Sequence, residues 1–250
     1  DAVEENGEFV SETGISRFDD VLIENCSVRK TNRWGIAVGY TAYWNKFPDS
    51  KSDISDEDIK TYGSTNVVIR NNYVKEAGGD AITTMYCDRP LIEYNVADGV
   101  AAQINTTDYV NVDGRGGRVA AGIWPWKCKD AIFQYNEAFD TQNGDTGNDD
   151  AQAWDADSGD GTVYQYNYSH NNTGGCVMFC LGRAYQNTFR YNISQNDLKG
   201  AMDIAVIPDA HVYNNTFYMK EGVPFIRQRT NGGNMVAENN IIYYAGDTPM

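Results

Sequence analysis

The 250-residue chain carries 35 acidic against 20 basic side chains, a formal net charge of −15. Phosphate backbones attract clustered Lys and Arg, so this balance excludes an extended nucleic-acid surface and suits a secreted protein or one that binds cations. No apolar run approaches the roughly 18 residues that cross a bilayer, Gly (24) and Tyr (17) outnumber Pro (6), and no segment shows the apolar period of an amphipathic helix.

In chain order, short runs of β-formers recur. They begin with "VLIENC" (21–26), followed by a charged insertion, "WNKFPDSKSDISDEDIK" (44–60), which reads as a solvated flap or a functional loop. Next come "VVIRNN" (67–72) and "PLIEYN" (90–95), a second insertion at 100–118, "AIFQYN" (131–136) and a third insertion, "DTQNGDTGNDD" (140–150). The series closes with "TVYQYN" (162–167), "NTFRYN" (187–192), "HVYNN" (211–215) and "MVAENN" (235–240). The closing Asn residues stand at 72, 95, 136, 167, 192, 215 and 240, in steps of 23, 41, 31, 25, 23 and 25, with Cys26 in the same frame. A period of 23 to 25 residues, lengthened where loops are inserted, marks a strand-based solenoid.

An Asn at one site per turn has a physical use. Parallel strands stack about 4.8 Å apart, so successive amides can hydrogen-bond to one another. The pattern resembles the asparagine ladder of the right-handed parallel β-helix, the pectin-lyase-like architecture. The resemblance implies an all-β solenoid of about eight turns: a single domain over 1–250, with loops near 43–62, 99–119 and 140–153. The segment 138–175 is similar to secreted bacterial β-helix proteins acting on polysaccharides. This implies a secreted or cell-surface protein that meets a polysaccharide or oligosaccharide, with no nucleic acid and no membrane span. The open ends of such a solenoid imply further domains or partner chains. The chain begins without Met, which predicts a processed or excised segment of a longer protein.

Counting thirteen residues back from each ladder Asn gives Ile82, Ile123, Trp154, Phe179, Met202 and Arg227, an apolar inward row that Arg227 ends. Side chains alternate along a strand. The next row, Thr83, Trp124, Asp155, Cys180, Asp203 and Gln228, therefore faces out, as do Trp126 and Asp157 two positions further. A one-residue slip would reverse these faces. Outward tryptophans beside carboxylates suit a sugar groove, although two such Trp side chains are also accounted for by a covering loop. The i, i+2 spacing of Asp155 and Asp157 predicts carboxyls roughly 6–7 Å apart, and Asp155 and Asp203, two rungs apart, lie about 9.6 Å apart. Both separations sit near the ~6.5–9.5 Å of inverting glycosidases.

The favoured reading is a glycoside hydrolase with Asp155, Asp157, Asp203 and His170 as catalytic candidates. Trp124, Trp126, Lys127 and Arg183 are the substrate-binding candidates. Each has a plain structural alternative: Asp in a turn, Lys127 and Arg183 as surface charges, His170 satisfying a bend. Hydrolysis needs no cofactor. Calcium at Asp145, Asp149 and Asp150 is the metal alternative; "DADSGDG" fails as an EF-hand because Tyr166 stands where the bidentate Glu belongs. The competing functions are a calcium-assisted polysaccharide lyase, with Lys127 or Arg183 as base, and a non-catalytic binding or adhesin solenoid. Cys87 and Cys128, each eight residues before a ladder Asn, stack on successive rungs within disulfide reach or as free thiols.

Overall fold

A computed structural model describes residues 2–5, 8–11, 15–39, 55–102, 120–142, 150–180, 185–205, 209–228 and 234–247. Three parallel sheets run the length of the molecule as a right-handed parallel β-helix of about eight turns. Two eight-stranded sheets are formed by the strands immediately before and after each ladder residue, and the third has seven strands. An antiparallel hairpin, Ala2–Glu5 with Glu8–Ser11, precedes the solenoid. The seven-stranded sheet is built in strict sequence from β1 (Ile36–Val38), β2 (Ile82–Met85), β3 (Ile123–Trp126), β4 (Gln152–Asp157), β5 (Gly175–Cys180), β6 (Met202–Ile204) and β7 (Ile226–Gln228).

The ladder is continuous. From Asn72 to Asn215, each side-chain Nδ2 donates to the next ladder Oδ1 at 2.9–3.1 Å. Each also donates to a backbone carbonyl of the preceding turn, and the next Oδ1 accepts the ladder residue's own backbone N–H. Cys26 heads the series, its N–H donating to Asn72 Oδ1 at 3.0 Å. The chain must bend sharply here, and the residue before each of the seven ladder asparagines has φ of 54–58°. Asn tolerates this left-handed conformation, whereas a bulky Tyr is an outlier in it. Tyr94, Tyr135, Tyr166 and Tyr191 nevertheless take four consecutive corners, where their rings stack at 4.9, 5.2 and 5.3 Å and offset part of that cost.

A second, shorter ladder ends in a carboxyl. Asn172 donates its backbone N–H and Nδ2 to Asp197 Oδ1 at 2.9 and 2.8 Å, and the Ser169 and Ser194 hydroxyls donate to Oδ2 at 2.6 and 2.7 Å. Burial raises the Asp197 pKa above the ordinary carboxylate value, opposed by these hydrogen bonds. A raised folded-state pKa means the folded protein holds the proton more tightly than the unfolded chain. That stabilisation is complete below the ordinary carboxylate pKa and is lost as pH rises through the folded value. Asp197→Asn should remove this dependence. Urea midpoints at pH 4 and pH 8 should therefore differ less in the variant than in the parent; an unchanged difference would count against the assignment.

The inward row is apolar throughout: Ile82, Ile123, Trp154 and Met202 are fully buried. The fixed count of thirteen fails at two turns. Trp154 pairs with Val177 instead of Phe179, and Met202 pairs with Ile226 instead of Arg227. Turn length varies between rungs, so a fixed offset drifts. The two-residue slip leaves Phe179 inward beside Ala156 and Ile204, while the one-residue slip turns Arg227 outward beside Asp203. Regular pairing therefore continues through Arg227.

A helix absent from the sequence reading, α1 (Asp56–Tyr62), closes the first insertion. It is short and buries only Ile59, so no apolar stripe announces it. Its ends are nonetheless well marked: Ser55 Oγ accepts the Asp58 N–H, acids fill the first turn, and the Gly63 N–H donates to the Ile59 carbonyl. The five cysteines are free. Cys87 and Cys128 do stack, the Cys87 N–H donating to Cys128 Sγ at 3.4 Å.

Candidate active site

The outward face of the seven-stranded sheet presents one column through Thr83, Trp124, Asp155, Met178, Asp203 and Arg227, and another through Met85, Trp126, Asp157 and Cys180. Met178 takes the place expected of Cys180, which instead neighbours Asp157. Parallel pairing holds β4 between β3 and β5, and the buried Tyr164 hydroxyl donates to the Ile123 and Asp155 carbonyls at 3.2 and 2.8 Å, tying β3 to β4 from within.

Asp155 and Asp157 are 5% and 6% exposed, and one oxygen of each lies, with Cys180 Sγ, in a group spanning no more than 4.8 Å. That is closer than the spacing expected from the sequence, because neighbouring side chains on one face converge through their rotamers. The approach falls below the roughly 6.5–9.5 Å spacing of an inverting pair. Burial pushes the Asp157 pKa well above the usual carboxylate range; the Ser158 hydroxyl, donating at 2.8 Å, opposes it, the negative charge of Asp150 raises it further, and Lys127 lowers it. Asp150, half-buried just ahead of β4, thus belongs electrostatically to this site.

Other sequence candidates fall in different places. Trp126 is 8% exposed under α1, packed with Ile59, Met85 and Tyr86, and its Nε1 donates to the Tyr86 hydroxyl at 3.3 Å. The covering element anticipated as the alternative for the tryptophan pair is therefore present over Trp126. Trp124 stays half-buried, its ring edge-on to Trp126 at 6.2 Å. Lys127 is no surface charge: it is fully buried, with Nζ 5.8 Å from the Trp126 ring centre. Its φ of 48° bends the chain immediately after β3.

His170 lies in the sheet that follows the ladder asparagines, apart from the sheet carrying the carboxylates. Its ring stacks on Phe139 at 4.7 Å, and Nε2 stands 3.2 Å from Glu137 Oε1, a surface ladder of its own. Asp203 is buried between two partners, Gln152 Nε2 at 3.1 Å and Arg227 Nη1 at 3.2 Å. Arg183, Asp145 and Asp149 lie outside the described residues. The grouping of Asp155 and Asp157 with the Cys180 thiol does not match the oxygen ligands calcium takes.

Sequence reasoning passed over Arg33, Asp80 and Gln152. Asp80 is completely buried and accepts Trp124 Nε1–H at 2.9 Å, while Arg33 stands 3.5 Å from it. Asp80 and Gln152 each stand two residues before the inward row, but Ala121, Gly175 and Gly200 hold that offset on other rungs, so no repeated polar signal marks them in the sequence.

Over 237 residues, 94% of its length, the chain is 55% identical to the lacto-N-biosidase of Bifidobacterium longum subsp. longum. The crystal structure of a GH136 lacto-N-biosidase from Eubacterium ramulus, 48% identical and covering 93% of this chain, superposes with a TM-score of 0.81. The chain is similar to lacto-N-biosidases. It spans 15% of the first relative and 37% of the second. The tailspike protein of E. coli bacteriophage HK620, 10% identical over 94% of this chain and 46% of its own with a TM-score of 0.50, shares the fold alone. No protein-family model matches the chain. Among the described residues, no helix is long and apolar enough to cross a membrane.

Proposed function

We propose that this chain carries the catalytic groove of a secreted glycoside hydrolase that cleaves oligosaccharides bearing lacto-N-biose. The observation that carries the reading is a buried carboxyl, Asp157, whose pKa is raised by burial and by Asp150, on the same outward face as the half-buried Trp124. The similarity to lacto-N-biosidases supports the choice of sugar.

Glycosidic cleavage needs one protonated and one ionised carboxyl flanking the scissile bond. Asp157 is suited to remain protonated and to give its proton to the departing sugar oxygen as the C–O bond breaks. Asp150 is assigned the ionised role. It is half-exposed, its negative charge acts on Asp157, and the Arg33 cation sits within its field. Asp155, close to Asp157 on the same strand face, shares one side of the bond with it and is assigned to sugar-hydroxyl binding. Asp203, engaged by Gln152 and Arg227, is assigned to holding the floor of the groove.

The test is incubation with p-nitrophenyl lacto-N-bioside, with the product anomer followed by proton NMR. Release of the disaccharide supports the proposal, and one anomer formed first tells whether Asp150 acts as nucleophile or as base. Binding of lacto-N-biose without release would instead identify a carbohydrate-binding solenoid. An unsaturated, ultraviolet-absorbing product would identify a lyase.

A further inference from the structure

Trp124 is the aromatic side chain that the groove leaves half-open, and a buried ion pair stands behind it. Asp80, in the turn before β2, is entirely out of solvent. Its Oδ1 accepts two hydrogen bonds, from the Ala121 backbone N–H and from Trp124 Nε1–H, both at 2.9 Å. Its Oδ2 accepts no hydrogen bond among the described residues and lies 3.5 Å from Arg33 Nη2. The Arg33 side chain, 25% exposed, is itself confined: its guanidinium lies 5.6 Å from the Trp34 ring centre, and a Cβ added at Gly79 would come within 3.0 Å of its Cδ.

We infer that Asp80 and Arg33 are positioning residues that lock the Trp124 indole as a fixed platform for a sugar ring, an inference that rests on the sugar-groove reading above. Satisfying one indole N–H and one amide N–H needs only a neutral acceptor. Burying a carboxylate for the purpose is costly unless a cation answers it, and Arg33 is that cation. Two consequences follow. The indole cannot turn about its ring torsion without breaking a charge-assisted hydrogen bond, which is about twice as strong as a neutral one. Donation of the N–H to an anion also leaves the ring face more electron-rich, and that face attracts the C–H edges of a pyranose. Trp126, edge-on at 6.2 Å, closes the rotation from the other side.

The pairing of a buried aspartate with an arginine recurs four rungs along. Asp203, also buried, holds Arg227 at 3.2 Å and Gln152 at 3.1 Å. A half-covered arginine anchored by a buried aspartate thus borders the column that carries Asp155 at both ends.

The experiment compares Asp80→Leu, which removes the acceptor, with Asp80→Asn, which keeps an acceptor oxygen. Two readouts are taken: the KM and kcat for p-nitrophenyl lacto-N-bioside, and solvent exchange of the Trp124 indole N–H in nitrogen-15 spectra without substrate. Asp80→Leu should raise KM by about tenfold, the worth of one well-placed aromatic contact, with kcat changed by less, and should release the indole proton to exchange. Asp80→Asn should restore both toward the parent. If Asp80→Leu fails to fold, Arg33→Met serves in its place, with the same direction of change in both readouts. A folded variant with a protected indole and an unchanged KM overturns the proposal. Should the parent cleave no lacto-N-bioside, the hydrolase reading fails by itself, and the indole exchange still decides whether Asp80 fixes Trp124.

Discussion

Asp157→Asn is expected to lower turnover of a lacto-N-bioside by about 10²–10⁴-fold, the usual contribution of a positioned general acid, while leaving disaccharide affinity nearly unchanged. The isosteric amide keeps the shape and the contact with the Ser158 hydroxyl but has no proton of suitable acidity to give. Asp150→Asn is expected to cost a comparable factor for a different reason: it removes the ionised partner and also the negative charge that helps raise the Asp157 pKa. The two variants separate in their pH dependence. In the parent, activity is lost on the alkaline side as Asp157 gives up its proton, and the raised pKa carries that limb above the ordinary carboxylate range. Removing Asp150 lowers the Asp157 pKa, so whatever activity remains should fall off at lower pH. Asp155→Asn, which removes one charge from a hydroxyl-binding group, should act chiefly on KM. Steady-state kinetics from pH 4 to 9 for the three variants check this. Full activity in Asp157→Asn would sink the acid assignment, and an Asp155→Asn loss equal to that of Asp157→Asn would move the partner role from Asp150 to Asp155.

The repeat and the site differed in how far the sequence disclosed them, and the reason is geometric. Each ladder Asn interacts with its counterpart one turn away, so the constraint is written at a regular interval and survives inserted loops. The inward row was legible where turns are of equal length, as at Ile82, Ile123 and Trp154. It drifted where the segment from the inward residue to the following ladder Asn is longer than thirteen residues: fifteen from Val177 to Asn192 and fourteen from Ile226 to Asn240. The outward face of Asp155, Asp157 and Trp124 is legible in the sequence because they sit on the well-registered rungs. Asp150, a loop acid, carries no register, so the sequence alone offers calcium as the alternative for it without placing it beside Asp157. Arg33 and Asp80 were passed over because their partners lie 47 and 44 residues away, on neighbouring rungs. The covering of Trp126 stands in the sequence only as the alternative of a loop; its helical form is not legible because α1, with one buried residue, leaves no periodic trace.

The largest effect on stability is expected from Asn167→Ala, in the middle of the ladder. The Asn167 side chain makes four hydrogen bonds out of solvent: Oδ1 accepts the Asn136 backbone N–H at 2.9 Å and Asn136 Nδ2 at 3.1 Å, and Nδ2 donates to the Phe133 carbonyl at 2.9 Å and to Asn192 Oδ1 at 3.0 Å. Removing it leaves the Asn136 N–H without its acceptor and takes one partner each from Asn136 Nδ2, the Phe133 carbonyl and Asn192 Oδ1 between packed rungs. Each unsatisfied buried group costs about 1–3 kcal/mol. Phe133 and Tyr164, stacked at 4.8 Å beneath the same turn, leave little freedom for the chain to collapse onto the gap. A loss of at least about 4 kcal/mol is expected, in the exceptional range for one substitution. Asn167→Asp should be no milder. An aspartate accepts as Oδ1 does, but it has nothing to donate to Phe133 and Asn192, and it brings a charge where no cation answers it. Asp197 shows the condition under which a carboxyl is tolerated in such a column: it ends its ladder, and both of its oxygens receive hydrogen bonds from Asn172, Ser169 and Ser194. Asn240→Ala, at the last rung with a half-buried side chain, should cost far less. Denaturant midpoints for the three variants test the argument. Equal losses at positions 167 and 240 would mean that the ladder acts residue by residue and not through the groups it leaves stranded.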